Sequence, residues 1–548
     1  MLDGVRPYDK KDIVKYELRR WWLGMTWGDV FDKATDLYPA KVGLVDDQGS
    51  YTYHEMREKV DRLAISLMKL GIKPSDRVFV QLPNWHEFIY AFFAIQKIGA
   101  IVVLLIPRHN ENEIKYFCEL TKPVAWIVPK QYGKIEYQGI IESVCKENNQ
   151  LKHVIQVRTG GDTQHSDIED LIKNAELTKE NLAALEERRP DPNEVAQIMP
   201  TGGTTGTPKL SPRTHNCYMV NVEYHAKSWE ITSNDTVMVV TPVGHGMALH
   251  WGIGGALFNQ AKLVLLDSVK PQDICEAIER EKVTAMPTVP ALLARIIETE
   301  DFNKYKMDYL KKVSVGGAPS TPELVKNVED KIGCKFVNGF GSVEGTTCST
   351  RLGDSIELIC YSVGKPDCPY DTMKIIDPEG NEVPQGTDGE LVSKGPGVFT
   401  GYFMSPEENK NVFTKDGFFR TGDLARKDEF GNIWITGRIK DIIIRGGENV
   451  SAKDIENLLS THLGISDCAV VGMPDKILGE RICAYIVTRG GATLTFEDII
   501  IFLKEKGASV LQLPERIEFV ASLPLTNIGK VDKKLLREDI KKRLGIDD

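Results

Sequence analysis

Short apolar runs rich in β-branched residues alternate with amphipathic stretches along most of this chain. The runs at residues 77–82, 100–106, 125–128, 153–157, 236–241, 262–266 and 313–315 predict buried strands. Most are continuous rather than alternating, which is the pattern of strands covered on both faces, as in parallel sheets. Between them, residues 55–70 and 274–282 repeat apolar side chains at helical spacing. Strands alternating with such helices predict an α/β architecture.

From Gly364 the pattern changes. Turn signals crowd together (Asp377-Pro378-Glu379-Gly380, Pro384-Gln385-Gly386, Asp416-Gly417, Glu429-Phe430-Gly431) and the runs between them shorten, predicting a small antiparallel or barrel-like unit. It ends at Gly437-Arg438-Ile439-Lys440-Asp441. Beyond it, Ser451 is placed to cap a helix whose apolar positions are Ile455, Leu458, Leu459 and Leu463. Strand-like runs at 468–471, 482–487 and 517–520 follow, then a charged helix. The expected organisation is a large N-terminal domain, 1–439, with parallel-sheet α/β subdomains and a small β-barrel-like subdomain. A small, mobile α+β domain, 440–548, completes it.

A length of 548 residues agrees with several packed units rather than one core. The formal charge of −10 excludes a general nucleic-acid binder, because phosphate would repel most of the surface. The basic cluster Lys533, Lys534, Arg537, Lys541, Lys542 and Arg543 is expected to be the wet face of the last helix. Ten cysteines without a CxxC pair read as reduced thiols. The charged first twenty residues lack an apolar leader, and no apolar stretch approaches the roughly 20 residues of a membrane helix. A cytoplasmic protein is the expectation, and homodimerisation is compatible with it.

The most informative segment is Pro200-Thr201-Gly202-Gly203-Thr204-Thr205-Gly206-Thr207-Pro208-Lys209. Glycines let backbone N–H groups turn toward an anion, threonines add hydroxyl donors, and the lysine closes the loop with a full charge. That inventory suits a polyphosphate. It is not a Walker A loop, since Pro208 stands before the lysine and no glycine lies five positions before a Gly-Lys pair. Nor is Gly339-Phe340-Gly341-Ser342-Val343-Glu344-Gly345 a dinucleotide fingerprint: it reads GxGxxxG rather than GxGxxG.

The loop resembles the signature of adenylate-forming enzymes, the group of acyl- and aryl-CoA ligases, peptide-synthetase adenylation domains and luciferases. Four further motifs recur in the family's order: Phe340-Gly341-Ser342-Val343-Glu344, Arg420-Thr421-Gly422-Asp423-Leu424, Gly437-Arg438-Ile439-Lys440-Asp441 and Asn527-Ile528-Gly529-Lys530. Gly202-Gly203 before the threonines, and Leu210 with Pro212-Arg213-Thr214-His215 after the lysine, look most like the branch that activates aryl acids, including dihydroxybenzoate–AMP ligases. The resemblance implies a Mg2+-dependent enzyme that joins a carboxylic acid to the α-phosphate of ATP, expels pyrophosphate, and passes the acyl group to a thiol. CoA is the expected thiol, with a carrier-protein phosphopantetheine as the alternative. A catalytically silent nucleotide-binding protein is the distant alternative, against which Lys209, Glu344, Asp423, Arg438 and Lys530 all stand.

A carboxylic acid, with a pKa of about 4, is already ionised at neutral pH, so such a reaction needs cations and aimed dipoles rather than a general base. Residue by residue, the resemblance assigns Thr201, Gly203, Thr204, Thr205, Gly206 and Lys209 to the phosphates, and Glu344 with Thr204 to Mg2+. Gly316, Gly317, Ala318, Asn338, Gly339, Phe340 and Gly341 go to the nucleotide, Asp423 and Arg438 to the ribose, and Lys530 to the α-phosphate and attacking carboxylate. His245, Gly246, Met247, Trp251, Gly317 and Gly341 form the acid pocket. Lys440 is the hinge, and Gly446 and Gly447 flank the thiol path.

Two positions depart from the family pattern. Val343 replaces a usual threonine. Gly246 stands where dihydroxybenzoate enzymes carry the asparagine that binds the ortho hydroxyl, so the expected acid is compact and apolar: benzoate-like, alicyclic or short-chain. Met247 and Trp251 are read as an apolar wall, with Trp251 equally readable as a core residue, while Gly316, Gly317, Gly339 and Gly341 are expected to leave room.

Overall fold

The computed structural model describes residues 2–201, 208–490, 492–526 and 530–546. The expected strands form at 77–80, 101–104, 125–129, 153–157, 236–239, 262–265 and 312–316, and the two expected helices at 53–69 and 271–281. Tyr53–Lys69 starts at a reciprocal cap, in which Thr52 accepts from the Glu55 N–H and Glu55 accepts from the Thr52 N–H.

The strands assemble into two large sheets. One has seven strands and runs, in spatial order, Leu210–Thr214, Val195–Pro200, Ile101–Leu104, Arg77–Val80, Ala125–Pro129, His153–Val157 and Ser166–Asp167. Its pairs are parallel except the first, Val195–Pro200 with Leu210–Thr214. The other has nine strands with a parallel centre that includes Ala285–Thr288, Lys312–Gly316 and Lys335–Gly341. Ala285–Thr288 escapes the sequence pattern because it carries Pro287, a residue that cannot donate to the ladder. Continuous apolar strands are buried end to end, as Ile101–Leu104 and Ala125–Pro129 show.

Backbone packing divides the chain into two compact units. The first comprises the described residues up to Thr201 together with Lys209–Thr372 and Lys394–Phe413. The second takes Met373–Ser393 and the described residues from Thr414 on. The short strands after Gly364 form a four-stranded sheet, Thr372–Ile376, Gly389–Lys394, Phe419–Lys427 and Ile433–Arg438, whose last two pairings are antiparallel.

The C-terminal residues form a five-stranded sheet with helices on both faces. Ile455 and Leu459 of Ala452–Leu459 pack on one face with Ile499 and Leu503, and Leu536 and Ile540 of Lys533–Arg543 on the other. Ser451 caps the first helix as expected, accepting from the Asp454 N–H. Two expectations fail here. The helix stops at Leu459 and leaves Leu463 85% exposed, because the hydroxyls of Ser460 and Thr461 turn back onto the Asn457 and Leu458 carbonyls. The basic cluster is also not simply a solvated face. Lys533 reaches Glu456 at 2.7 Å, and Arg537 pairs with Asp441.

Among the described residues no helix is long and apolar enough to cross a membrane. All ten cysteines are free thiols, and burial pushes Cys118 and Cys483 up to about 12.

Candidate active site

The phosphate loop springs from a hairpin. Val195–Pro200 and Leu210–Thr214 pair antiparallel with Pro200 opposite Leu210. The pairing extends one step further, since the Thr201 N–H donates to the Lys209 carbonyl at 2.7 Å and the Lys209 N–H to Thr201 Oγ1 at 3.2 Å. A strand, not a helix, therefore follows the loop, which is why the Walker A pattern is absent. Gly202, Gly203, Thr204, Thr205 and Gly206 lie outside the described residues, and so does the Gly529 that precedes Lys530.

Lys209 and Glu344 converge on one tyrosine. The Lys209 ammonium pairs with Glu408 and sits 5.0 Å from the centre of the Tyr402 ring. The Tyr402 hydroxyl donates to Glu344 Oε1 at 2.6 Å. Burial, reinforced by the negative charge of Glu344, raises the Tyr402 hydroxyl far above its ordinary range, so it remains a donor. Glu344 itself is 8% exposed, in the turn between Lys335–Gly341 and Thr347–Ser349. A hard, buried carboxylate oxygen on the same tyrosine as Lys209 has the donor chemistry Mg2+ prefers. Asp46, His86 and Glu87 also bring ligand-type atoms together, but Arg158 already fills that cluster, donating to Glu87 at 2.8 Å and Asp46 at 3.3 Å.

Just past Thr236–Val239 the chain reaches the residues expected to form the acid pocket. The His245 N–H donates to the Pro242 carbonyl, and its Nδ1 accepts from the Met247 N–H at 3.3 Å. A β-carbon placed on Gly246 would lie 3.6 Å from Val343 Cγ1 and 3.8 Å from Met199 Cε, ordinary contact distances, so a β-carbon fits there without displacing either neighbour. Trp251 overturns the expectation that Gly316 and Gly339 leave room. These two glycines face each other on neighbouring parallel strands, and a β-carbon on either would come within 2.4 Å of Trp251 Cη2. The indole, 4% exposed, occupies the space the glycines vacate. Met247 is likewise buried, at 8%.

The remaining nucleotide candidates of the first unit lie at or next to the C-terminal ends of two parallel strands, the usual place for ligands in α/β folds. Gly317 and Ala318 are exposed just beyond Lys312–Gly316, Gly317 with φ +87°. Phe340 is half-buried and Gly341 exposed at the end of Lys335–Gly341. Asn338 is different: it is buried, and its side-chain amide donates to the Ser362 carbonyl at 2.7 Å, bracing the strand.

In the second unit, Asp423 and Arg438 stand opposite each other on paired strands, and Arg438 Nε donates to Asp423 Oδ1 at 2.7 Å. Lys440 lies in the helical turn Ile439–Asp441, its carbonyl accepting from Arg537 at 3.3 Å. Gly446 and Gly447, both at positive φ, make the two-residue turn of the hairpin Ile442–Arg445/Glu448–Ser451. Lys530 accepts at its carbonyl from the Thr526 N–H at 2.7 Å, and its own N–H donates to Thr526 Oγ1 at 3.2 Å.

This distribution of motifs has a match in sequence. Residues 31–403 match the AMP-binding enzyme model and residues 454–530 that of the AMP-binding enzyme C-terminal domain. The chain belongs to the AMP-binding enzyme family. This AMP-binding enzyme is 35% identical over 545 residues to the 2,3-dihydroxybenzoate-AMP ligase of Bacillus subtilis, covering 99% of each chain. It is 33% identical to the 2-hydroxy-7-methoxy-5-methyl-1-naphthoate--CoA ligase of Streptomyces carzinostaticus, covering 97% of this chain and 96% of the relative. It is also 33% identical to the salicyl-AMP ligase / salicyl-S-ArCP synthetase of Mycobacterium tuberculosis, covering 100% and 95%. The enzyme is an adenylate-forming ligase built from parallel α/β sheets and smaller antiparallel ones.

Sequence reading missed Tyr402, Glu408 and the pair His225–Asp367. Tyr402 and Glu408 sit roughly 200 residues from Lys209 along the chain, and no local motif joins them. His225 lies on a buried helix, where a histidine has no distinguishing spacing.

Proposed function

We propose that the protein activates a compact aromatic or alicyclic acid with Mg-ATP and transfers it from the adenylate to a phosphopantetheine thiol on a carrier protein. The observation that supports the ATP half is the Lys209–Tyr402–Glu344 constellation, which gathers a cation and a carboxylate about one ring. Mg2+ held by Glu344, with Thr204, would neutralise charge on the polyphosphate. Lys209 would steady the outgoing phosphates, Asp423 and Arg438 the ribose, and Lys530 the α-phosphate and the incoming carboxylate. The carrier thiol is favoured by the relative whose name includes a carrier-protein product, and CoA by the relative named a CoA ligase. Incubation with ATP, Mg2+ and an acid panel, followed by CoA or a phosphopantetheinylated carrier domain, tests the assignment. Absence of acid-dependent pyrophosphate release sinks it, and thioester mass identifies the acceptor. We place the enzyme in the cytoplasm, where ATP and these thiols are found.

The acid pocket points away from ortho-hydroxy acids, although all three relatives are named for them. Gly246 offers no side-chain hydrogen-bond partner, so an ortho hydroxyl would lose water without replacement. Benzoate is expected to exceed 2,3-dihydroxybenzoate in kcat/KM by about tenfold or more. Gly246→Asn should narrow that gap, since a β-carbon there meets its neighbours at ordinary contact distances and the amide supplies the missing polar partner. A wild-type preference for the dihydroxy acid would show that another group supplies the bond.

The two half-reactions need different groups around one acyl carbon, and we propose Lys440 as the hinge that exchanges them, bringing Gly446 and Gly447 to the thiol path. Its carbonyl is held by Arg537, on the helix that follows Lys530, so rotation at Lys440 carries Lys530 with it. Lys440→Pro fixes φ and removes the N–H at this position, which makes it a probe of rotation there. Single-turnover pyrophosphate release is expected to persist while thioester formation slows about tenfold or more. Undiminished transfer would count against the hinge.

A further inference from the structure

Beneath the acid pocket lies a buried chain of polar groups that adenylation does not use. His225, on the helix His215–Ser228, donates from Nδ1 to Asp367 Oδ2 at 3.1 Å, and its Nε2 lies 3.3 Å from Ser314 Oγ. Asp367 also accepts from Ser228 Oγ at 3.0 Å and from Ser349 Oγ. All three of His225, Asp367 and Ser314 are buried. The order Ser–His–Asp has the look of a nucleophilic triad, but Ser314 is fully buried within a central strand and no substrate could reach its Oγ. The group therefore works on its neighbours.

The neighbour that matters is Trp251. Its ring stacks on the His225 imidazole with centroids 4.5 Å apart and planes 14° from parallel. Its edge fills the gap between Gly316 and Gly339. Both imidazole nitrogens are engaged, so the His225 ring cannot turn without breaking two buried hydrogen bonds, each worth about 1 kcal/mol and more if left unsatisfied. Fixing the imidazole plane fixes the plane of the indole stacked on it. Trp251 also belongs to the wider helical turns of Ala248–Gly254, a π-helical segment of the kind found at functional sites, where backbone hydrogen bonding alone holds a side chain less firmly.

We propose that His225, clamped by Asp367 and Ser314, is a positioning residue that holds the Trp251 indole as a rigid floor of the acid pocket and thereby limits the substrate to a single ring. This rests on the acid-activating function proposed above. Burial favours the neutral Asp367 carboxyl, but His225 and the hydroxyls outweigh it and hold the group at about 2, so the clamp keeps its charge throughout the neutral range.

The test compares benzoate with 2-naphthoate in ATP–pyrophosphate exchange for wild type, His225→Ala, Trp251→Gly and the double variant. His225→Ala should raise the naphthoate-to-benzoate ratio of kcat/KM about tenfold while leaving the KM for ATP unchanged, because only the floor is loosened. The same substitution should add nothing in the Trp251→Gly background, the mark of a residue acting through another. His225→Phe, which keeps a flat ring but loses both hydrogen bonds of the clamp, should leave the ratio raised, and full recovery in that variant would overturn the role of Asp367 and Ser314. Equal loss on both acids, with the ratio unmoved, would overturn the proposal. A second readout needs no acid: the near-UV circular dichroism contributed by Trp251, taken as wild type minus Trp251→Phe, should collapse in His225→Ala at unchanged far-UV signal. If no acid supports exchange in wild type, the functional reading fails, and an unaltered near-UV band would then overturn the positioning role separately.

Discussion

Lys530→Ala is expected to lower acid-dependent ATP–pyrophosphate exchange by about 10²- to 10³-fold, the usual consequence of removing one aimed charge from a developing transition state. Transfer to thiol from a supplied acyl-adenylate should change only a few-fold, because pyrophosphate has by then left and the charge that Lys530 neutralises is gone. The substitution is otherwise mild. Lys530 is exposed, and the hydrogen bond from the Thr526 N–H to its carbonyl and the bridge between Leu525 and Val531 are main-chain features that alanine retains. Surface changes of this kind cost within about 0.5 kcal/mol, so thermal melting should match wild type. Comparable losses in the two half-reactions would refute this division of labour.

Glu344→Gln should be nearly as severe. Glutamine keeps the shape and an oxygen for the Tyr402 hydroxyl but loses the charge that, in the proposed function, draws Mg2+. Exchange activity should fall about 10²-fold, with the half-saturating Mg2+ concentration shifted upward. Tyr402→Phe, which leaves the charge but frees the carboxylate to rotate, should cost about tenfold with a smaller shift in Mg2+ dependence. A Glu344→Gln enzyme with the wild-type Mg2+ curve would mean that the metal is held elsewhere.

Much of this architecture is local in origin and so was legible along the chain. The run at 153–157 became the strand His153–Val157, and Ser451 capped its helix, because burial period and cap chemistry act over a few residues. Ala285–Thr288 was hidden because its neighbours in the sheet outvote the unfavourable Pro287. Leu463 was misread because two hydroxyls ended the helix that periodicity alone would have continued.

The sequence by itself determined the family and the types of charge at the site, since a Gly/Thr loop, Glu344, Asp423 and Lys530 announce their chemistry within a few positions. Only the tertiary structure decided what occupies the space beside the glycines, because Trp251, His225 and Asp367 meet from segments up to 142 residues apart. The same holds for Tyr402, which joins Lys209 to Glu344 across the fold. Composition and spacing report which groups a chain carries, whereas pocket size and the grip on a metal ligand depend on packing between distant segments.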